Sequence, residues 1–394
     1  MIKKVLLKGP ILTNSGYGVH TRQVFKALCI RKDIDLYILP TNWGNTSWIL
    51  DRDFDNGLIG KIFDICTKSK SEISFDESYQ VLLPNEWQIL ANKNIGITAG
   101  FEADIVKKSW IDKVNQMDNV IVPSMFTRNA FVKTSQNCGV NISSKIEVIN
   151  EWYYDDFDNI ALDKDIFSNL KYNKNILIMG QITSNSPISD RKNILKTIAT
   201  ALEFANKNKG VGILLKINNG KYSNFETEKI KNLIRLYLEE YDSDKITILA
   251  GSLNLKELKH LYSSKKIMCI LSGTRAEGWG LPFIEAAHCS LPIVATKYSS
   301  YLEFLEEDFL GIDYELNDIS FKDESFMDKD ENPVWAEFCS DSMTNCLKRL
   351  LANYDFYKKI AAKRSNIIKQ KYSIDAILNI YKLFFEKIDK QWLI

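Results

Sequence analysis

The sequence predicts an α/β chain built as two doubly wound domains, and three observations point there. Short apolar runs alternate with helical patterns almost from end to end. Those runs are apolar throughout rather than every second residue, as in strands covered on both faces of a parallel sheet. At 394 residues the chain exceeds one ordinary core, so two domains of ~200 residues each are expected.

In the first half, "KVLLKG", "DLYILP", "YQVLLP", "NIGITAG", "NVIVPS" and "KIEVIN" read as strands, with helices at 17–30, 103–117 and 125–136. In the second, "NILIMG", "GILLKIN", "KITILAG", "KIMCILSG", "LPIVAT" and "LGIDYE" read as strands. Helices fit 192–207, 224–240, 254–263, 282–289 and 299–306 between them. The polar, weakly periodic stretch near 155–173 marks the break, giving domains over 1–165 and 166–370. Residues 317–333 read as an irregular insertion, and everything after Pro333 as helical to Ile394.

Composition narrows the class. With 45% hydrophobic and 26% charged residues the chain is of globular type. Its 51 basic and 50 acidic residues leave a net charge of +1, which gives no footprint for nucleic acid. Seven scattered cysteines without a C-x-x-C pair point to reduced thiols and a cytoplasmic setting. The opening "MIKKVLLKGPILTNSG" reads as a first strand and not a signal peptide, and no apolar run approaches the ~18 residues of a membrane span. Residues 348–371 carry eight Lys/Arg against one Asp; such a run suits peripheral contact with the inner face of an anionic membrane, although a solvated helix face is the plainer reading.

The chemistry concentrates in "LSGTRAEGWGLPFIEAAHCSLPIVAT", residues 271–296. Gly278 and Gly280 permit close backbone approaches, and Pro282 suits the opening of a helix. The free N–H groups around Trp279, Gly280 and Leu281 then point out of a helix N-terminus, a ready anion site at the ligand-binding edge of an open sheet. Glu277 and Glu285 bracket it, placed to accept hydrogen bonds from hydroxyls. Such a turn suits a phosphate-bearing, hydroxyl-rich ligand.

"EGWGLPFIEA", with Glu277 and Glu285 separated by seven residues, resembles the signature of the retaining family 4 glycosyltransferases of GT-B fold, and "LPIVAT" is similar to that family's next strand. The resemblance implies two Rossmann-like domains facing across a cleft, the first on the acceptor side and the second on the donor side, with a C-terminal helix over 371–394 crossing back to the first domain. It implies that Glu285 binds the nucleotide ribose and Glu277 the hydroxyls of the transferred sugar. The amides of Gly278, Trp279, Gly280 and Leu281 would meet sugar and diphosphate, with the Trp279 indole left to pack.

Other segments add to the resemblance. "NSGYGVHTR" (14–22) is similar to the family's first glycine loop, with Gly16 and Gly18 near an anion and His20 and Arg22 on the following helix. "GITAGFEADIVKKSW" puts Glu102 near the donor sugar or acceptor; a plain carboxylate at a helix N-terminus is the alternative. Ser124 reads as an N-cap. "MGQITSNSPISDRKNILKTIATALEF" departs from the family: Gln181 stands where an arginine is expected. Lys192 matches the family's lysine and Arg191 supplies a second cation for the diphosphate. "ILAGSLNLKELKHLY" resembles the segment that meets the nucleobase through backbone at Ser252 and Leu253. "PTNWGNTSW" (40–48) suits a sugar acceptor, or two tryptophans packing a loop.

The function expected is metal-independent, hexosyltransferase-type transfer with retained configuration. The donor is a UDP- or GDP-sugar; the acceptor is a glycan, lipid-linked or protein-linked hydroxyl, in polysaccharide or glycoconjugate biosynthesis. No cofactor is expected. Asp-x-Asp at Asp51/Asp53, Asp163/Asp165, Asp242/Asp244 and Asp328/Asp330 would suit a metal-dependent transferase but recurs too often to mark a site. Three distant histidines give no metal cluster. A hydrolase pairing the two glutamates leaves the glycine turn and basic pair unexplained. A nucleotide-sugar epimerase, or a non-catalytic nucleotide-sugar-binding or scaffold protein on the same fold, stays open.

Overall fold

The computed structural model describes residues 2–44, 46–68, 73–154, 157–162, 164–180, 190–217, 224–238, 243–319 and 332–390. The chain divides into two compact units, one containing Met1–Trp152 and Tyr372–Ile394, the other Tyr153–Asp323 and Asn332–Lys371.

In the first unit β1 (Lys3–Gly9), β2 (Ile34–Pro40), β3 (Phe75–Val81), β4 (Ala91–Ile97), β5 (Asn119–Val122) and β6 (Ile146–Val148) form one sheet in the order β2-β1-β3-β4-β5-β6. Every pairing in it is parallel. Helices α1 (Gly16–Cys29), α2 (Phe54–Cys66), α3 (Lys108–Gln116) and α4 (Met125–Asn137) make the crossovers a parallel sheet needs. Ser15 and Ser124 cap α1 and α4, accepting from the amides of Gly18 at 3.0 Å and Thr127 at 3.1 Å. The helix expected over 103–117 starts only at Lys108, since Lys107 before it is still non-helical at ψ 136°.

The second unit repeats the plan. Strands β7 (Lys174–Gly180), β8 (Val211–Ile217), β9 (Ile246–Ala250), β10 (Ile267–Ser272), β11 (Ile293–Thr296) and β12 (Leu310–Ile312) pair in parallel in the order β12-β11-β10-β7-β8-β9. Helices α5 (Ile194–Asn206), α6 (Asn224–Leu238), α7 (Leu255–Ser263), α8 (Leu281–His288) and the short α9 (Leu302–Leu305) alternate with them. Ile176, Ile178, Ile213, Leu215 and Leu271 from the strands pack with Ile198, Leu202 and Leu347 from helices in one core.

Residues after Pro333 are not all helical. β13 (Tyr314–Asp318) and β14 (Val334–Phe338) form an antiparallel hairpin before α10 (Ser340–Ala352) and α11 (Tyr354–Lys371). "VWAEF" joins β-branched and aromatic residues, and Trp335, Ala336 and Phe338 are buried, so strand propensity and burial win over the helical continuation. The basic run is partly turned inward. Lys358 donates to the Ser290 carbonyl at 2.7 Å, Arg364 pairs with Asp308 at 2.7 Å and Glu306 at 3.0 Å, and Lys369 faces Asp158 at 3.9 Å. Among the described residues, no helix is long and apolar enough to cross a membrane.

The last helix, α12 (Ile374–Lys390), belongs to the first unit. Its Ile377, Tyr381, Phe384, Phe385 and Ile388 enter the core with Val5, Leu7, Val24 and Tyr79. An ionic cluster locks its end to the sheet. Lys3 pairs with Glu77 at 2.9 Å and Asp389 at 2.5 Å, Arg31 pairs with Glu77 at 2.5 Å, and Lys93 donates to the Ile388 carbonyl at 2.6 Å.

Candidate active site

In the second unit the strand order reverses between β7 and β10, so the loops after these two strands are neighbours at the carboxyl edge of the sheet, where open α/β sheets bind ligands. The loop before α5 is organised by the buried Asp190. Its carboxylate accepts from the amides of Ile194 at 2.9 Å and Lys192 at 3.2 Å, and Asn193 turns left-handed at φ 52°. Arg191 and Lys192 are thereby presented to the loop after β10. Main chain joins the two: the Arg275 amide donates to the Arg191 carbonyl at 2.9 Å, and Arg191 Nη1 to the Ala276 carbonyl at 2.8 Å.

Glu277 is the focus. Lys192 Nζ lies 2.5 and 2.6 Å from its two carboxylate oxygens, Thr274 Oγ1 donates to it at 2.9 Å, and Arg191 Nη1 stands 3.5 Å away. Burial alone would raise the Glu277 pKa, but Lys192 and Arg191 outweigh it and hold the carboxyl below its ordinary value, so it is ionised. The next loop props the turn from behind: Ser299, at φ 80°, accepts from the Glu277 amide at 3.0 Å. Ser300 Oγ donates to the carbonyls of Glu277 at 2.7 Å and Trp279 at 2.9 Å.

The turn itself runs through Gly278, Trp279 and Gly280 into α8. Gly280 caps the helix at φ 98°, where a Cβ would also sit 2.9 Å from the Phe283 ring. The Trp279 indole is buried against Phe304, ring centroids 4.9 Å apart, so this side chain packs and the backbone faces the helix mouth. Leu281 opens α8 and Pro282 lies in its first turn. Glu285, on the same helix, is buried and accepts from the Tyr262 hydroxyl at 2.9 Å; burial pushes its pKa up to about 8. The two glutamates thus differ in charge at neutral pH.

Ser252 and Leu253 follow β9 in a short loop begun by Gly251 at φ 106°, ahead of the Asn254–Glu257 capping box of α7. Lys216, buried on β8, donates to the Gly251 carbonyl, and burial lowers its pKa to about 8. Gln181, Asp163, Asp242, Asp328 and Asp330 lie outside the described residues.

Gly16, Gly18 and Glu102 belong to the first unit. A Cβ on Gly18 would meet the Thr13 carbonyl oxygen at 2.2 Å, whereas one on Gly16 would meet nothing within 4 Å. Arg22 holds the β1–α1 loop by donating to the carbonyls of Ile11 at 2.8 Å and Thr13 at 3.0 Å. His20 is buried, with Nδ1 3.9 Å from Glu151, and burial lowers its pKa to about 4. Glu102 lies in the loop ahead of α3 rather than at that helix's start, which removes the helix-dipole alternative. Tyr17 is fixed by Thr98 Oγ1 at 2.9 Å and the Ala99 amide at 3.0 Å, and Trp43 stacks on it with ring centroids 3.9 Å apart. Trp43 therefore packs one of its faces.

Reading the sequence singled out neither Asp190, Arg275, Ser299 nor Glu337. Asp190, four residues before an apolar helix start, carried a capping signal of its own. The others contact the site only through the fold. Among the described residues there is no group of three or more His, Cys, Asp or Glu side chains that could hold a metal ion.

Two parallel six-stranded sheets layered with helices are the secondary-structure plan of the GT-B fold. Residues 220–322, about a quarter of the chain, match the family description "Glycosyl transferases group 1". No curated protein matches the chain in sequence. Solved structures that share the fold include HepE of Anabaena in complex with UDP and glucose, 14% identical, covering 98% of this chain and 100% of that one, with a TM-score of 0.60. Sucrose-phosphate synthase of Thermosynechococcus elongatus is 13% identical, covering 99% and 100%, with a TM-score of 0.64. A glycosyltransferase of Rickettsia africae is 17% identical, covering 99% of each chain, with a TM-score of 0.60.

Proposed function

We propose that the chain is a glycosyltransferase that moves a hexose from a nucleoside diphosphate sugar to an acceptor hydroxyl with retained anomeric configuration and without a bound metal. The observation that carries the reading is the convergence of Lys192 and Arg191 on Glu277 beside the amide turn that opens α8. In transfer, negative charge builds on the departing diphosphate; two cations and a helix N-terminus are the groups that stabilise it. Glu277 then turns its oxygens to the sugar hydroxyls. Glu285 faces the ribose as a neutral acid able to donate one hydrogen bond and accept another. UDP or GDP donors fit best, in keeping with HepE, whose structure holds UDP and glucose. The acceptor is a glycan or another hydroxyl-bearing carrier, and the setting is cytoplasmic.

The test is calorimetric binding of UDP, GDP and ADP in chelator-treated buffer, followed by slow hydrolysis of the matching sugar donors. Binding of one diphosphate and release of its sugar without metal are expected. Failure to bind any of them would sink the reading. Glu285→Ala should weaken nucleotide binding itself, whereas Glu277→Gln should leave it intact and remove at least ~100-fold of turnover.

A further inference from the structure

The hairpin of β13 and β14 reaches back into the site through Glu337. Arg275 Nε and Nη2 lie 2.8 and 2.7 Å from the Glu337 carboxylate, and Arg275 Nη1 donates to the Asp190 carbonyl at 2.5 Å. The guanidinium also lies over the Trp335 ring at 4.9 Å. Glu337 in turn accepts from Asn193 at 3.2 Å and Lys196 at 2.5 Å, both at the start of α5. Main chain completes the junction: the Ala336 amide donates to the Arg275 carbonyl at 3.1 Å, and the Arg275 amide to the Arg191 carbonyl at 2.9 Å. Every partner is buried or half-buried. One arginine thus touches both loops at the switch point and the hairpin at once.

We propose that Arg275 and Glu337 are positioning residues that hold Arg191 and Lys192 where the terminal phosphate of the donor binds. Neither touches substrate. A planar guanidinium sets two N–H groups on the carboxylate and a third on a backbone carbonyl in one fixed fork, a geometry the point charge of an ammonium does not enforce. Without it the side-chain tie between the Asp190 carbonyl, the 275–277 loop and the hairpin is lost, and the two cations are left on Glu277 by their own contacts and one main-chain bond. Displacements of about 1 Å at such a site cost on the order of 100-fold in rate. The inference rests on the nucleotide-sugar reading above.

The experiment compares UDP with UMP by calorimetry, or the guanine or adenine pair if wild type prefers that base, and measures donor hydrolysis in wild type, Arg275→Lys, Arg275→Met, Glu337→Gln and Glu337→Asp. In both Arg275 variants the preference for the diphosphate over the monophosphate should fall about tenfold. Monophosphate affinity should stay within about twofold, and kcat should fall more than KM rises. Glu337→Asp should recover more than Glu337→Gln. Thermal unfolding is recorded for each, and Glu337→Gln carries the test if the Arg275 variants do not fold. A merely structural pair would lower the melting temperature and leave the diphosphate preference unchanged, which would overturn the proposal. So would equal weakening of both nucleotides. If wild type binds no nucleotide, the functional reading falls and takes this inference with it; if wild type binds and the variants match it, only the inference falls.

Discussion

Glu277 is ionised and held by two cations at the place where a diphosphate is proposed to bind, so ligand and carboxylate compete for the same positive charge. Glu277→Gln removes the competitor. Affinity for the nucleoside diphosphate should therefore hold or rise, by up to about tenfold, while turnover is lost; titration calorimetry on the variant reads this directly. Glu285 titrates in the opposite sense. With its pKa raised to about 8 in the folded chain, against 4.5 ordinarily, the native state keeps a proton that the unfolded chain has released. Stability from this group is fully present below pH 4.5 and is lost as pH rises through 8, at about 1.4 kcal/mol per pH unit at most. Glu285→Gln should flatten that part of a melting-temperature profile between pH 5 and 8; an unchanged slope would refute the assignment. Both glutamates were legible in the sequence because they flank a glycine turn ahead of a proline. Their different charge states were not, because these depend on Lys192, 85 residues away from Glu277, and on the burial of Glu285.

Elements show where local pattern suffices. Strands buried on both faces announced themselves as apolar runs, and the cap Ser124 followed from a single residue, whereas Ser15 was not singled out. β14 did not: it is five residues long and follows a polar stretch. Its partner β13 pairs through a register that no local window contains. Arg275 and Glu337, 62 residues apart, were hidden for the same reason. At the head of α1 the two glycines of "SGYG" look alike in sequence but differ in space. Gly18→Ala pushes a Cβ into the Thr13 carbonyl and should cost about 1–3 kcal/mol. Gly16→Ala meets open space and should be neutral or stabilising by up to about 1 kcal/mol. Denaturant unfolding of the pair checks this, and any activity lost in a stable Gly16→Ala measures ligand room at that loop.

At the scale of the whole molecule, each unit is a parallel sheet with its own core. Among the described residues the first unit draws on two segments of chain far apart in sequence. The β1 residues Val5 and Leu7 and the α12 residues Tyr381 and Phe385 share one core, and Lys3 and Asp389 share one ion pair. Removing 372–394 should leave the second unit's melting transition in place and abolish the first unit's, as differential scanning calorimetry would show. Persistence of two transitions would contradict the packing described.

The same feature sets an order of events on the ribosome. After Trp152 leaves the exit tunnel, about 220 residues of the second unit must be made before α12 arrives. At cellular elongation rates that is roughly 10–40 s during which the first sheet waits with one apolar flank open to solvent. The second unit, whose described residues lie between Tyr153 and Lys371, can close during translation; the first cannot. Nascent chains of this protein should accordingly be clients of chaperones that shield exposed strands, and the earliest native-like species to appear should be the second unit.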